Sequence, residues 1–301
     1  MTLKVNHLTK SIKSKDIVKD VSFQVMSGEI VGLLGPNGAG KTTTMKMIVG
    51  LTSFQSGEVT IHGKPITSYF EDSIKNIGCV IETPCFYPSL TAKENLIYFA
   101  QLSKIPIKDV EEVASKLGLT QVLQKKVKHY SLGMKQRLGI AQALMHKPSI
   151  LILDEPFNGL DPEGIKSVRV LLRELSTHTG VAILISSHLI SEIELFCDRV
   201  VIMKNGEVKD DFNLSGIEDA PVRTSFYVDS IDNVLRLLPP ENHNILINPH
   251  DRKLTVLMKR DSVPNLLAYL LKNQIKVFEV KRERNSLEER FMAVVGGNII
   301  E

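Results

Sequence analysis

Apolar residues in this chain follow three spacings, each belonging to a different part. In KDVSFQV the residues Val21, Phe23 and Val25 alternate with polar neighbours, and Val59 and Ile61 do so in GEVTIHG, the period-two pattern of half-buried antiparallel strands. IVGLLG, ILILDEP and VAILISSH are continuously apolar and end in polar residues, as parallel strands buried on both faces do. Helical spacing falls between them, at 41–51, 132–146, 164–177 and 189–196. AKENLIYFAQLS and VEEVASKLG, between the strand carrying Cys79 and ILILDEP, predict a mostly helical insert. The expected architecture is α/β: an N-terminal antiparallel β region, a parallel core and a helical insert.

After RVVIMKNGEV the texture turns polar, with Gly and Pro, in DDFNLSGIEDAP. This divides the chain into a domain at 1–212, a linker at 213–223 and an accessory domain at 224–301. The accessory part reads as strand 224–228, helix 231–238, a hairpin of NILINP and KLTVLMK, helix 263–272, strand 275–280 and a last helix around SLEERFMAVV. That order predicts a small ferredoxin-like α+β domain.

Composition narrows the class without naming it. With 301 residues, 43% hydrophobic and 24% charged, the chain can bury a substantial core. A net charge of +3 does not argue for a nucleic-acid partner, and none is expected. Three cysteines, Cys79, Cys85 and Cys197, lack the spacing of a disulfide framework or zinc site; they are expected as small apolar residues in or near the core of a cytoplasmic protein. No window approaches the ~18 apolar residues of a membrane span, so a membrane process would need spans on another chain.

The chemistry begins at GPNGAGKTT, made of Gly35, Pro36, Asn37, Gly38, Ala39, Gly40, Lys41, Thr42 and Thr43. It fits G-x-x-x-x-G-K-[ST], follows an apolar strand and opens a helix, the context of a P-loop. Backbone N–H groups there would wrap phosphate oxygens at the positive end of the helix, Lys41 would reach the β and γ phosphates, and the Thr42 hydroxyl would ligate Mg²⁺. ILILDEP supplies the rest: Asp154, at a strand end, to hold Mg²⁺ through water, and Glu155 as the general base that polarises the attacking water. ATP and Mg²⁺ are the expected ligands.

YSLGMKQRLGIAQAL, NGLDPEG and LISSHLISE complete an ordered set of motifs, and over residues 1–210 the sequence closely resembles the ATP-binding-cassette (ABC) ATPases. The resemblance implies that Tyr130, Ser131, Leu132, Gly133 and Met134 align with the signature LSGGQ, that Gly159 to Asp161 form the D-loop, and that His188 is the switch histidine. Ser131 and Gly133 begin a helix whose N-terminus favours a phosphate. In this family two cassettes pack head to tail, each nucleotide clamped between one P-loop and the partner's signature helix, so a homodimer acting with separate transmembrane permease subunits is implied.

Two positions depart from the family pattern. The adenine-stacking aromatic would fall around Ile12, which offers only an apolar face, so weaker base stacking is expected. The Gln-loop residue falls on Glu82, in GCVIETPCFYPSLTAKENL; Glu can keep the metal contact of Gln but adds a negative charge. Glu at this point and the pattern ending SLEERFMAVV resemble the ATPases of bacitracin-resistance and lantibiotic-immunity exporters. The implied function is ATP hydrolysis on the inner face of a bacterial membrane, coupled to export of a membrane-active peptide antibiotic, with Phe86 and Tyr87 as candidates for the permease contact. Rival readings are an exporter of another drug or ion, a soluble ABC protein of ribosomes or DNA, which usually carries tandem cassettes or long coiled-coil insertions, and a small-molecule kinase, which would not need YSLGMKQR.

Overall fold

The structure, a computed structural model, describes residues 2–215, 221–238, 245–248, 251–282 and 287–296. The chain divides into two units, Met1–Leu214 with Phe291–Glu301, and Ser215–Arg290. Of the expected linker 213–223, residues 216–220 lie outside the described residues.

The larger unit opens with β1 (Leu3–Ile12) and β2 (Lys15–Val25), joined by Lys13 and Ser14 at φ 48° and 64°. Two left-handed residues in a two-residue loop match the twist of the strands they connect. There follow β3 (Ile30–Leu34), α1 (Lys41–Ile48), β4 (Ser56–Ile61), β5 (Lys64–Pro65), α2 (Phe70–Ile74) and β6 (Ile77–Val80). The helical insert is α3 (Ala92–Leu102), α4 (Ile107–Lys116) and α5 (Leu132–Leu144). The core then resumes with β7 (Ile150–Asp154), α6 (Pro162–Thr179), β8 (Ala182–Ser186), α7 (Ile190–Phe196), β9 (Arg199–Lys204) and β10 (Glu207–Asn213).

Local chemistry sets several boundaries. Thr91 Oγ1 accepts from the Glu94 N–H at 3.1 Å while Glu94 Oε2 accepts from the Thr91 N–H at 2.7 Å, a reciprocal cap that starts α3. α6 is capped by Asp161, has Pro162 in its first turn and stops at Gly180 with φ 70°.

Two sheets result. β2-β1-β4-β5 is antiparallel, and β10-β9-β3-β8-β7-β6 is parallel except where β10 meets β9. The inward residues of the first, among them Val5, Val21, Val25, Val59 and Ile61, join Val31, Leu33, Ile152, Leu184 and Val201 of the second, and Met45 and Ile48 of α1, in one buried core. β3, β7 and β8 are buried at every position, as their unbroken apolar runs require. Parallel strands leave the loops after β3, β6, β7 and β8 at the same edge of the sheet, where α/β folds place their ligands.

β1 escaped the period-two pattern. Its buried residues Leu3, Val5 and Leu8 are out of phase because register shifts against β2 fall between Val5 and Leu8 and again before Lys10. The cysteine expectation is corrected: Cys197 is buried, but Cys79 on the edge strand β6 and Cys85 in the following loop are exposed.

The smaller unit contains β11 (Val222–Val228), α8 (Ile231–Leu237), β12 (Ile245–Asn248), β13 (Lys253–Met258), α9 (Val263–Lys272) and β14 (Val277–Arg282), followed by α10 (Leu287–Val295). Its sheet runs β12-β13-β11-β14 with every pair antiparallel, the strand order of a ferredoxin-like split βαβ arrangement. Phe226, Val228, Ile231, Val234, Leu254, Leu270 and Ile275 form its own core. The described residues from Phe291 on group with the larger unit, so the smaller one stops short of the expected 301.

Candidate nucleotide site

The loop between β3 and α1 is shaped by its glycines. Gly40 caps α1 at φ 103°, and a Cβ there would lie 2.8 Å from the Ile17 carbonyl oxygen; Gly38, at φ 80°, faces open space. Within this turn the Lys41 ammonium donates to the carbonyls of Gly35 at 2.6 Å and Pro36 at 3.3 Å. Lys41 is only 7% exposed. Burial lowers its pKa, opposed by the carboxylates of Glu155 and Asp154. An open cleft lies over the loop, walled by Asn37 and Gly38 through Thr43, by Asp16 and Ile17 of β2, and by Glu155 and Asn205. Ile12, expected near the base, is 48% exposed.

A hydrogen-bond network ties the ends of two strands, β7 and β8, to this loop. Thr42 Oγ1 donates to Asp154 Oδ2 at 2.9 Å, and the Ser186 hydroxyl donates to Asp154 Oδ1 at 2.5 Å. The Glu155 N–H in turn donates to Ser186 Oγ at 3.0 Å, and Glu155 adopts the left-handed φ of 50°. A side chain in that region is strained by roughly 1–2 kcal/mol. The turn sets the Glu155 carboxylate against His188, whose Nδ1 donates to Oε2 at 2.7 Å. Ser186 was missed in the sequence; its only signal is its place at the polar end of the buried run AILISSH.

The residues present suit Mg²⁺. Thr42 and Asp154 offer hard oxygen donors 2.9 Å apart, and among the described residues no group of three or more His, Cys, Asp or Glu could hold a metal alone. One carboxylate and one hydroxyl, with phosphate oxygens completing the shell, is how proteins commonly hold this ion.

The signature segment stands apart. Ser131 caps α5, its Oγ accepting from the Met134 N–H at 3.2 Å, while Leu132 is 49% exposed. Gly133 lies against the turn before α6: a Cβ would meet the Gly159 carbonyl oxygen at 2.9 Å. Asp161 caps α6 through a 3.1 Å bond from the Gly164 N–H. None of Ser131, Leu132, Gly133, Met134 and Asp161 walls the cleft.

Glu82, expected as a metal ligand, lies in the loop after β6 and is held by a lysine of α1. Its Oε1 accepts from Lys46 Nζ at 2.6 Å, and its backbone turns through φ 61° just beyond β6. Lys46 had no signal as a site residue in the sequence. Beyond Glu82, the rings of Phe86 and Phe99 meet at 6.2 Å and those of Tyr87 and Tyr98 at 5.2 Å, edge to face. Tyr87 and Tyr98 are 47% and 39% exposed.

A glycine-lined loop closing on a buried lysine, a carboxylate on its Thr and a Glu–His pair beyond define a P-loop ATPase. Residues 18–158 match the ABC transporter family. The chain is 42% identical over 291 residues to the uncharacterized ABC transporter ATP-binding protein YdbJ of Bacillus subtilis (strain 168), covering 96% of this chain and 94% of YdbJ. It is 36% identical over 309 residues to the bacitracin transport ATP-binding protein BcrA of Bacillus licheniformis, covering 99% and 98% of the two chains. With the lantibiotic transport ATP-binding protein SrtF of Streptococcus pyogenes it shares 37% identity over 206 residues, covering 68% of this chain and 88% of SrtF. Among solved structures, an ATP-binding subunit of an ABC transporter aligns with TM-score 0.66 and 34% identity, over 72% of this chain and 92% of that one. The cassette MJ0796, dimeric and bound to ADP and Pi, aligns with TM-score 0.64 and 27% identity, over 70% and 98%. The chain belongs to the ABC transporter ATP-binding proteins and is an ATPase. No described helix is long and apolar enough to cross a membrane.

Proposed function

We propose that this chain is the ATP-hydrolysing subunit of a bacterial exporter of membrane-active peptide antibiotics of the bacitracin or lantibiotic type, working as a head-to-tail pair on separate permease subunits at the inner membrane face. The observation that carries the cargo class is the identity with BcrA, 36% along 99% of this chain, which takes in the accessory unit as well as the cassette.

In this reading the N–H groups from Gly38 to Thr43 bind the phosphates, and Lys41 turns its ammonium from the Gly35 and Pro36 carbonyls to the β and γ phosphates. Thr42 and Asp154 hold Mg²⁺, which when bound neutralises charge developing on the phosphate oxygens. Glu155 accepts a proton from the attacking water, and His188 holds its carboxylate in place. Ser131 through Met134, of which Ser131 and Leu132 are exposed and none walls the cleft of its own chain, serve the γ-phosphate held by the second copy, with Asp161. The aromatic cluster of Phe86, Tyr87, Tyr98 and Phe99 is the docking surface for the permease.

The test is susceptibility of a strain lacking the gene, complemented with wild type or Glu155→Gln. Loss of resistance to bacitracin or a lantibiotic, restored only by wild type, is the expected result. Unchanged susceptibility to both would remove the cargo assignment while leaving the ATPase intact.

A further inference from the structure

Lys46 lies four residues after Thr42 on α1, so the two share a helix face one turn apart, about 6 Å along the axis. Its ammonium holds Glu82 Oε1 at 2.6 Å. Sheet register brings Glu82 to this place independently: Val80 pairs with Leu153, the residue before Asp154, and the positive φ of Glu82 turns the chain two residues beyond that pairing. Glu82 therefore follows β6 at the same edge of the sheet at which Asp154 ends β7, with one carboxylate oxygen taken by Lys46.

From this juxtaposition we infer that Lys46 is a positioning residue that fixes Glu82 and cancels its charge, so that the pair presents a neutral group next to the nucleotide phosphates. A bare carboxylate there would repel the triphosphate. With Lys46 attached, the unit keeps an oxygen free and carries no net charge, which makes an acid tolerable at this strand end. The inference rests on reading the cleft as the ATP site.

The test is a double-mutant cycle on the full-length chain, measuring ATP affinity with Mg²⁺ and in EDTA for Lys46→Met, Glu82→Gln and the double variant. The Lys46 and Glu82 side chains are 34% and 63% exposed, and pairs of this kind are modest, so Lys46→Met is expected to weaken ATP binding about two- to fivefold. The loss should be larger in EDTA and shrink in high salt. Glu82→Gln should restore the affinity of Lys46→Met, and Lys46→Arg should behave as wild type. Wild-type ATP binding holds the site reading fixed, so two outcomes overturn this inference alone: Lys46→Met binds as wild type, or the loss is the same with Gln at position 82, which would make Lys46 only a distant cation for the phosphates.

Discussion

His188 donates from Nδ1 to Glu155 Oε2 at 2.7 Å, although the two residues follow different strands and are 33 positions apart in the chain. The contact depends on the left-handed turn at Glu155, and that turn on Ser186, which accepts from the Glu155 N–H and donates to Asp154. One serine hydroxyl thus sets the spacing between the carboxylate on Thr42 and the carboxylate on His188.

Replacing His188 with Ala should free the Glu155 carboxylate without touching the P-loop. Turnover is expected to fall about 10²-fold or more, with ATP affinity within roughly twofold of wild type. Equal losses in both would mean that His188 shapes the nucleotide cleft instead.

Lys41→Ala should abolish ATP binding, since it removes the buried cation that sits among the Gly35 and Pro36 carbonyls beside the cleft. Equilibrium binding of a fluorescent ATP analogue checks this. Wild-type affinity would contradict the P-loop assignment.

The C-terminal unit's own core gives a prediction on stability. Phe226 is fully buried among Val228, Val234, Leu254 and Leu270. Phe226→Ala is expected to cost about 3–5 kcal/mol in that unit. Limited proteolysis should cut first between residues 222 and 282, and the cassette should keep its affinity for ATP.

His146, on the segment after α5, donates from Nε2 to the Ile77 carbonyl at 2.9 Å. Burial holds its pKa below the ordinary 6.5, with the hydrogen bond opposing. The unfolded chain therefore takes up this proton first. The stabilisation is complete above about pH 6.5 and is lost as the pH falls through the lowered folded value. Urea midpoints at about pH 7.5 and about pH 5.5 should differ in the wild type, and the difference should narrow in His146→Gln. An unchanged difference would show that other groups carry it.

Much of this was legible in the chain. The buried runs around Val31, Ile152 and Leu184 announced the parallel strands, and the spacing of Gly35, Gly40, Lys41 and Thr42 announced the phosphate loop, because each is a local pattern with one physical use. β1 was not legible, since its bulges break the alternation of Leu3, Val5 and Leu8. Neither were Ser186 and Lys46: a serine ending a strand and a lysine on a helix face are ordinary until the fold sets them against Asp154 and Glu82. The environment of Glu82 shows the same limit, for the sequence offered a carboxylate and only the fold set Lys46 of α1 against it.

The measurement that bears most directly on the whole account is the sedimentation of Glu155→Gln with ATP and Mg²⁺, beside its steady-state turnover. Removing only the base should leave ATP bound and uncleaved, so the variant is expected to sediment as a dimer with ATP and as a monomer without it, with turnover near background. A variant that binds ATP but stays monomeric at high protein concentration, or one that hydrolyses as fast as wild type, would contradict the account.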